Sequence, residues 1–277
     1  MRWQDLRRSS NVEDRRGISG RGIAIGGGGL GVLVIALAVL LCGGDPSSLL
    51  QTGGPIDGQQ VQAPASNSAN PVQPDTNKQF AGAIMGSLED AWKQILPKQT
   101  RVRYQDPKLV LYTGQVRSAC GLGDAAMGPF YCPGDMNLYL DFAFFDELKR
   151  EFRAPGDFAQ AYVIAHEFGH HIQNLMGTMD RLQASGAGNR GSVALELQAD
   201  CYAGIWANYA AAQGRLDTGD PEEAIRAASA VGDDMIQKRT QGYVVPDSFT
   251  HGSSQQRVEW FGRGMKSGSM ANCQTFR

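Results

Sequence analysis

Net charge is almost absent from this chain of 277 residues, where 26 Lys and Arg face 28 Asp and Glu for a balance of −2. No basic stripe appears, so a nucleic-acid footprint is excluded. No internal repeat is evident, which sets repeat architectures aside. Cysteine is sparse, at 5, and no C-x-x-C spacing occurs, which argues against a cysteine-built metal site. Histidine is sparser, at 4. Charge is missing altogether from residues 22–44.

What is present begins with those histidines. Three of them fall in Val163-Ile-Ala-His-Glu-Phe-Gly-His-His-Ile172, which contains H-E-x-x-H as His166, Glu167 and His170. On a helix, positions i and i+4 share a face, so two imidazoles can meet one metal ion. Glu167, one residue after the first, is placed to take a proton from a water at that ion. Two neutral imidazoles with an open position suit zinc. The flanks (Tyr162, Val163 and Ile164 before, Leu175 and Met176 after) are apolar, so the helix is expected to be buried, and buried His and Glu need partners.

Along the chain, residues 1–21 are polar and basic, with Arg2, Arg7, Arg8, Arg15, Arg16 and Arg21. Residues 22–44 centre on Leu30-Gly-Val-Leu-Val-Ile-Ala-Leu-Ala-Val-Leu-Leu41, long enough as a helix to cross a hydrocarbon core of about 30 Å. A retained anchor is favoured over a cleaved signal peptide, because no small-x-small site follows. Leu41 before Cys42 is too bulky for a lipoprotein site. The arginine bias orients the N-terminus to the cytoplasm and everything after residue 44 outside. Residues 45–77, rich in Pro, Gly, Ser, Gln and Asn, read as a flexible linker. The folded domain is expected over 78–277.

Within it, Phe80, Ile84, Leu88 and Trp92 predict a helix over 78–96, ended by Pro97. Arg101–Tyr104 and Lys108–Thr113 are short strand candidates. Met136–Asp141 alternates like a half-buried strand, and its edge could receive an extended substrate by strand addition. Helices are expected over 142–152, 158–176 and 192–213 (with Ser192 as N-cap), then from Asp220 to about Arg239, and over 253–266.

Outside residues 22–44 stand Cys120, Cys132, Cys201 and Cys273, an even number consistent with disulfides in an oxidising compartment. Four cysteines permit three pairings. Cys120–Cys132 would staple a Gly-rich loop, and Cys201–Cys273 would tie the tail to the alanine-rich helix.

A zinc site usually takes three protein ligands plus water. Gln173 and Met176 stand where a metzincin would carry Gly and His, which excludes that class. Glu196 in Leu195-Glu-Leu-Gln-Ala-Asp200 can be the third ligand. Asp200, on the same helix face, can accept the outer N–H of a ligand histidine. Asp180, in Gly177-Thr-Met-Asp180, is the other carboxylate candidate. His171 points about 100° away from His170 and reads as a packing or outer histidine. His251 is a candidate oxyanion donor, with Tyr202, Tyr243 and Arg257 behind it.

The single-pass anchor, the polar linker, G-P-F-Y-C-P, H-E-F-G-H-H-I-Q, E-L-Q-A-D-C-Y-A-G and T-H-G-S-S-Q-Q-R together resemble the bacterial putative neutral zinc metallopeptidase family over essentially the whole chain. The resemblance implies an α+β, mostly helical, zincin-like domain with a small sheet and peptidase activity on peptide or protein substrates. The reading that results is a membrane-anchored, extracytoplasmic zinc endopeptidase of gluzincin type. Its rival is an envelope binding or scaffold protein with a structural or vestigial zinc; hydrolysis of a non-peptide bond is a third possibility.

Overall fold

In the computed structural model, which describes residues 1–17 and 75–276, Asp75 opens the first helix by accepting the Lys78 N–H at 2.9 Å. This helix, α1 (Thr76–Gln99), buries Phe80, Ile84, Leu88 and Trp92 along one stripe, as their spacing requires. Pro97 does not end it. Proline forfeits one backbone bond, and the turn that follows is closed by Thr100 N–H to Leu96 O at 2.9 Å.

A sheet of four strands, β1 (Val12–Asp14), β2 (Lys108–Tyr112), β5 (Phe130–Cys132) and β6 (Asn137–Asp141), runs in the order β1-β2-β6-β5. β1 and β6 flank β2 in parallel, and β5 pairs antiparallel with β6. β3 (Gln115–Ser118) and β4 (Gly121–Asp124) form a separate hairpin. Two expectations are corrected here. Met136–Asp141 supplies β6, but in the interior of the sheet, and the edges are β1 and β5. Arg101–Tyr104 forms no strand.

The remaining helices are α2 (Ala143–Arg150), α3 (Asp157–Leu175), α4 (Thr178–Ser185), α5 (Gly188–Ala212), α6 (Asp220–Ala230), α7 (Asp233–Gln241) and α8 (Ser254–Ser267). α5 starts four residues before Ser192, whose hydroxyl instead donates to Thr250 O at 2.9 Å. The single helix expected over 220–239 is two, parted at Val231-Gly232. α8 begins with a capping box in which Ser253 and Gln256 satisfy each other's backbone. The core lies between α1, α3, α5 and the sheet, with Phe158 stacked on Trp206 at 5.7 Å.

Two disulfides, Cys120–Cys132 and Cys201–Cys273, close loops with sequence separations of 12 and 72. Residues 1–17 pack into the same unit as the rest of the described chain, so the folded domain is wider than 78–277. The expected span at 22–44 and nearly all of the linker at 45–77 lie outside the described residues. Among the described residues no helix is long and apolar enough to cross a membrane.

Candidate metal centre

α3 presents His166, Glu167 and His170 on the side facing α5. The two helices cross closely at Gly169, where a Cβ would stand 2.9 Å from the Ala199 carbonyl oxygen. Only glycine permits that approach, and it brings Glu196, about one turn before Ala199, onto the histidines. His166 Nε2 lies 3.1 Å from Glu196 Oε2, and His170 Nε2 lies 3.4 Å from Oε1. One ligand atom from each of the three residues can be chosen so that all lie within 4.8 Å of one another.

The outer nitrogens of both imidazoles are engaged elsewhere. His166 Nδ1–H donates to Asp200 Oδ1 at 2.8 Å. His170 Nδ1–H donates to Gln173 Oε1 at 2.8 Å, and Gln173 Nε2 donates to Leu195 O at 2.7 Å, which fixes the amide's orientation. Both Nε2 atoms are thereby turned toward one carboxylate, where a metal ion would take the place of their protons. Two imidazoles and a carboxylate, each oriented by a further hydrogen bond, match the donor set of a zinc site.

Asp200 is the hub behind the ligands. Fully buried, it also accepts Tyr162 O–H at 2.5 Å and Arg257 Nε–H at 2.8 Å. Burial alone would raise its pKa, but Arg257 and His166 hold it below the usual carboxylate range. Burial likewise opposes the His166 imidazolium, yet Asp200 and Glu196 push its pKa up to about 10. Glu196 is driven well below its ordinary value against burial, chiefly by His170 and His166. Glu167 goes the other way. Burial raises its carboxyl, Glu196 adds to that rise, and the two histidines only partly offset it. Two carboxyls beside the same imidazoles are therefore shifted in opposite directions, Glu196 toward the anion and Glu167 toward the protonated form.

His166, Glu167, His170 and Glu196 line a cleft of about 730 Å³ that also holds Phe130, Tyr131 and His251. Asp233 holds the His251 loop. Its Oδ2 accepts the backbone N–H groups of Thr250, His251 and Gly252 at 2.7, 2.6 and 3.0 Å, while Oδ1 meets His251 Nδ1 at 3.1 Å. The His251 side chain is 50% exposed, with its other nitrogen unassigned to any partner among the described residues. Arg257 is in the cleft wall but engaged with Asp200, and stays 4.0 Å from Glu196. Tyr243 is exposed, and Tyr202 packs on Trp92 at 5.5 Å; neither lines the cleft. Asp180 is exposed on α4 and is not in the metal-ligand group. His171 is buried away from it, with Nε2–H on Gln105 O at 2.7 Å and Nδ1 accepting from Tyr131 O–H at 3.1 Å.

A second acidic group, Asp157, Asp220 and Glu223, gathers near the start of α3. It is occupied: the Met1 amino group lies 2.7 Å from Asp157 and 3.2 Å from Asp220, and Phe158 N–H donates to Glu223. Sequence reasoning missed Gln173 and Asp233. Gln173 carried a usable signal, one polar residue at i+3 from His170 on a buried face. Asp233 carried none, because its partner lies 18 residues away across a loop.

Comparison with known proteins agrees in extent with this geometry. A model of the family described as putative neutral zinc metallopeptidase matches residues 1–276. The chain is 47% identical over 290 aligned positions to the uncharacterized protein YpfJ of Escherichia coli strain K12, covering 100% of this chain and 99% of that protein. It is 42% identical over 253 positions to the uncharacterized protein Rv2575 of Mycobacterium tuberculosis strain H37Rv, covering 86% and 84% respectively. No solved structure matches it. With a match over its whole described length, the chain belongs to the putative neutral zinc metallopeptidase family.

Proposed function

We propose that the protein is a zinc-dependent endopeptidase of gluzincin type, with His166, His170 and Glu196 as the metal ligands and Glu167 as general base. The observation that carries this is the convergence of two histidine Nε2 atoms on one Glu196 carboxylate, with Glu167 in the same cleft. When bound, zinc supplies Lewis acidity that acidifies a water and polarises a carbonyl. Glu167, whose carboxyl is raised by burial, takes a proton from the attacking water and hands it to the departing amine. Asp200 keeps His166 in the Nδ1–H tautomer, and Gln173 does the same for His170. His251, steadied by Asp233, is placed to donate to the oxyanion.

The peptide class is supported by β5, one edge strand of the sheet, whose Phe130 and Tyr131 line the cleft and whose outer side pairs with no other strand among the described residues. A structural zinc would want a closed fourth position, and no fourth Cys, His, Asp or Glu joins the group among the described residues. Both disulfides favour an oxidising, extracytoplasmic compartment for the domain. The apolar run 22–44 remains the candidate for membrane association.

The test is metal analysis of the purified chain together with hydrolysis of an unstructured protein substrate. One zinc per chain is expected. Glu167→Gln should retain that zinc while losing about 10²–10⁴ in turnover. A chain without zinc, or a variant that hydrolyses at the native rate, overturns the proposal.

A further inference from the structure

Glu89 lies in the middle of α1 with 1% of its side chain exposed. Its side-chain partners among the described residues all come from the N-terminal segment. Arg7 Nη2 donates to it at 2.7 Å, Ser9 Oγ at 2.5 Å and Asn11 Nδ2 at 2.8 Å. The rest of the helix face is shaped for the same segment. A Cβ on Gly86 would collide with the Arg7 carbonyl oxygen, and Ser9 N–H donates to Gly82 O at 2.9 Å. Trp3 packs edge-on against Phe80 at 5.4 Å. Further on, Leu109 N–H donates to Asn11 O and Arg15 N–H to Leu111 O, both at 2.8 Å, so β1 completes the sheet.

Two of the arginines behind the cytoplasmic orientation, Arg7 and Arg16, reach across to α1 and its N-cap Asp75, while the Arg15–Glu13 and Arg16–Asp14 pairs stay within the segment. Arg7 pairs with Glu89 and Asp90, and Arg16 with Asp75. A single crossing at 22–44 would leave residues 1–17 and the domain on opposite faces of the bilayer. Glu89 would then lose all three of its donors, β2 would lose its pairing with β1, and Phe80 would lose its contact with Trp3. We infer that residues 1–17 lie on the same side of any membrane as the metal centre.

The test uses the full chain in intact bacterial cells, in a Cys42→Ser background. A Cβ on Gly82 would stand 4.0 Å from the Arg8 Cβ, within the range a disulfide spans. The Arg8→Cys, Gly82→Cys pair should therefore form a disulfide, seen as linked tryptic peptides after thiol quenching. A membrane-impermeant maleimide should reach the thiol of Arg8→Cys without permeabilisation, as it reaches that of Lys266→Cys on the exposed end of α8. The inference is overturned if position 8 is labelled only after permeabilisation while position 266 is labelled before it. It is equally overturned if the paired thiols stay unlinked. Neither readout involves zinc or hydrolysis, so the result stands apart from the proposed activity.

Discussion

His171 shows how one helical step separates roles. Adjacent to His170, it is turned into the core, where burial lowers its pKa from 6.5 to about 4. The neutral ring is fully satisfied, giving Nε2–H to Gln105 O and receiving Tyr131 O–H. Because the folded pKa is depressed, the unfolded chain binds the proton first. The stabilisation is therefore complete above pH 6.5 and drains away as pH falls toward 4. A shift of this size corresponds to roughly 3 kcal/mol. Urea unfolding of metal-stripped protein at pH 7.5 and pH 4.5 should show that loss in the native chain and not in His171→Gln; equal losses in both would remove the assignment. At this scale the sequence was legible wherever partners share a helix. His166 and His170, or Glu196 and Asp200, meet through a spacing that helix geometry alone dictates. Arg257 on Asp200 and Asp233 under His251 were not legible as pairs, because loops and separate helices bring them together.

At the scale of elements, the site depends on how closely α3 and α5 approach. The proposed ligands are divided between them, His166 and His170 on α3 and Glu196 on α5, so their separation would set the geometry. Gly169→Ala places a methyl 2.9 Å from Ala199 O and 3.0 Å from its Cα, and the helices must part. Overpacking of this kind costs about 1–3 kcal/mol. A lower melting temperature is expected, with zinc held more weakly than in the native chain, measured by competition with a chelating dye. Loss of stability with unchanged zinc affinity would show that the crossing does not set the ligand spacing. Helix periodicity revealed α1, α3 and α8 because each has an apolar stripe or a capping signal of its own. The edge strand was misplaced for the opposite reason. β6 is buried from Leu138 to Asp141, so its alternation marks no open face, while the edge strand beside it, β5, is three residues long and too short to show a pattern.

For the whole molecule, the long-range ties decide what holds the site. The polar Val12-Glu-Asp14 segment looked like surface because its strand partner is nearly a hundred residues away, and no local pattern encodes such a pairing. The tail is a second long-range tie. Gln198 Nε2 donates to Cys273 O at 2.9 Å, and Gln198 Oε1 receives Gln173 Nε2 at 3.2 Å, so the tail is joined through two buried amides to His170. The Cys201–Cys273 bond closes the larger loop, with a separation of 72 against 12 for Cys120–Cys132. Loop entropy puts its removal at about 4 kcal/mol, against about 3 kcal/mol for the smaller loop. Denaturant unfolding of Cys201→Ser, Cys273→Ser and of Cys120→Ser, Cys132→Ser should rank in that order. Only the first pair is expected to weaken zinc binding, because only it carries the amide path to a ligand. A reversed ranking with unchanged zinc affinity would mean that the tail is a passenger and that α3 and α5 hold the metal site unaided.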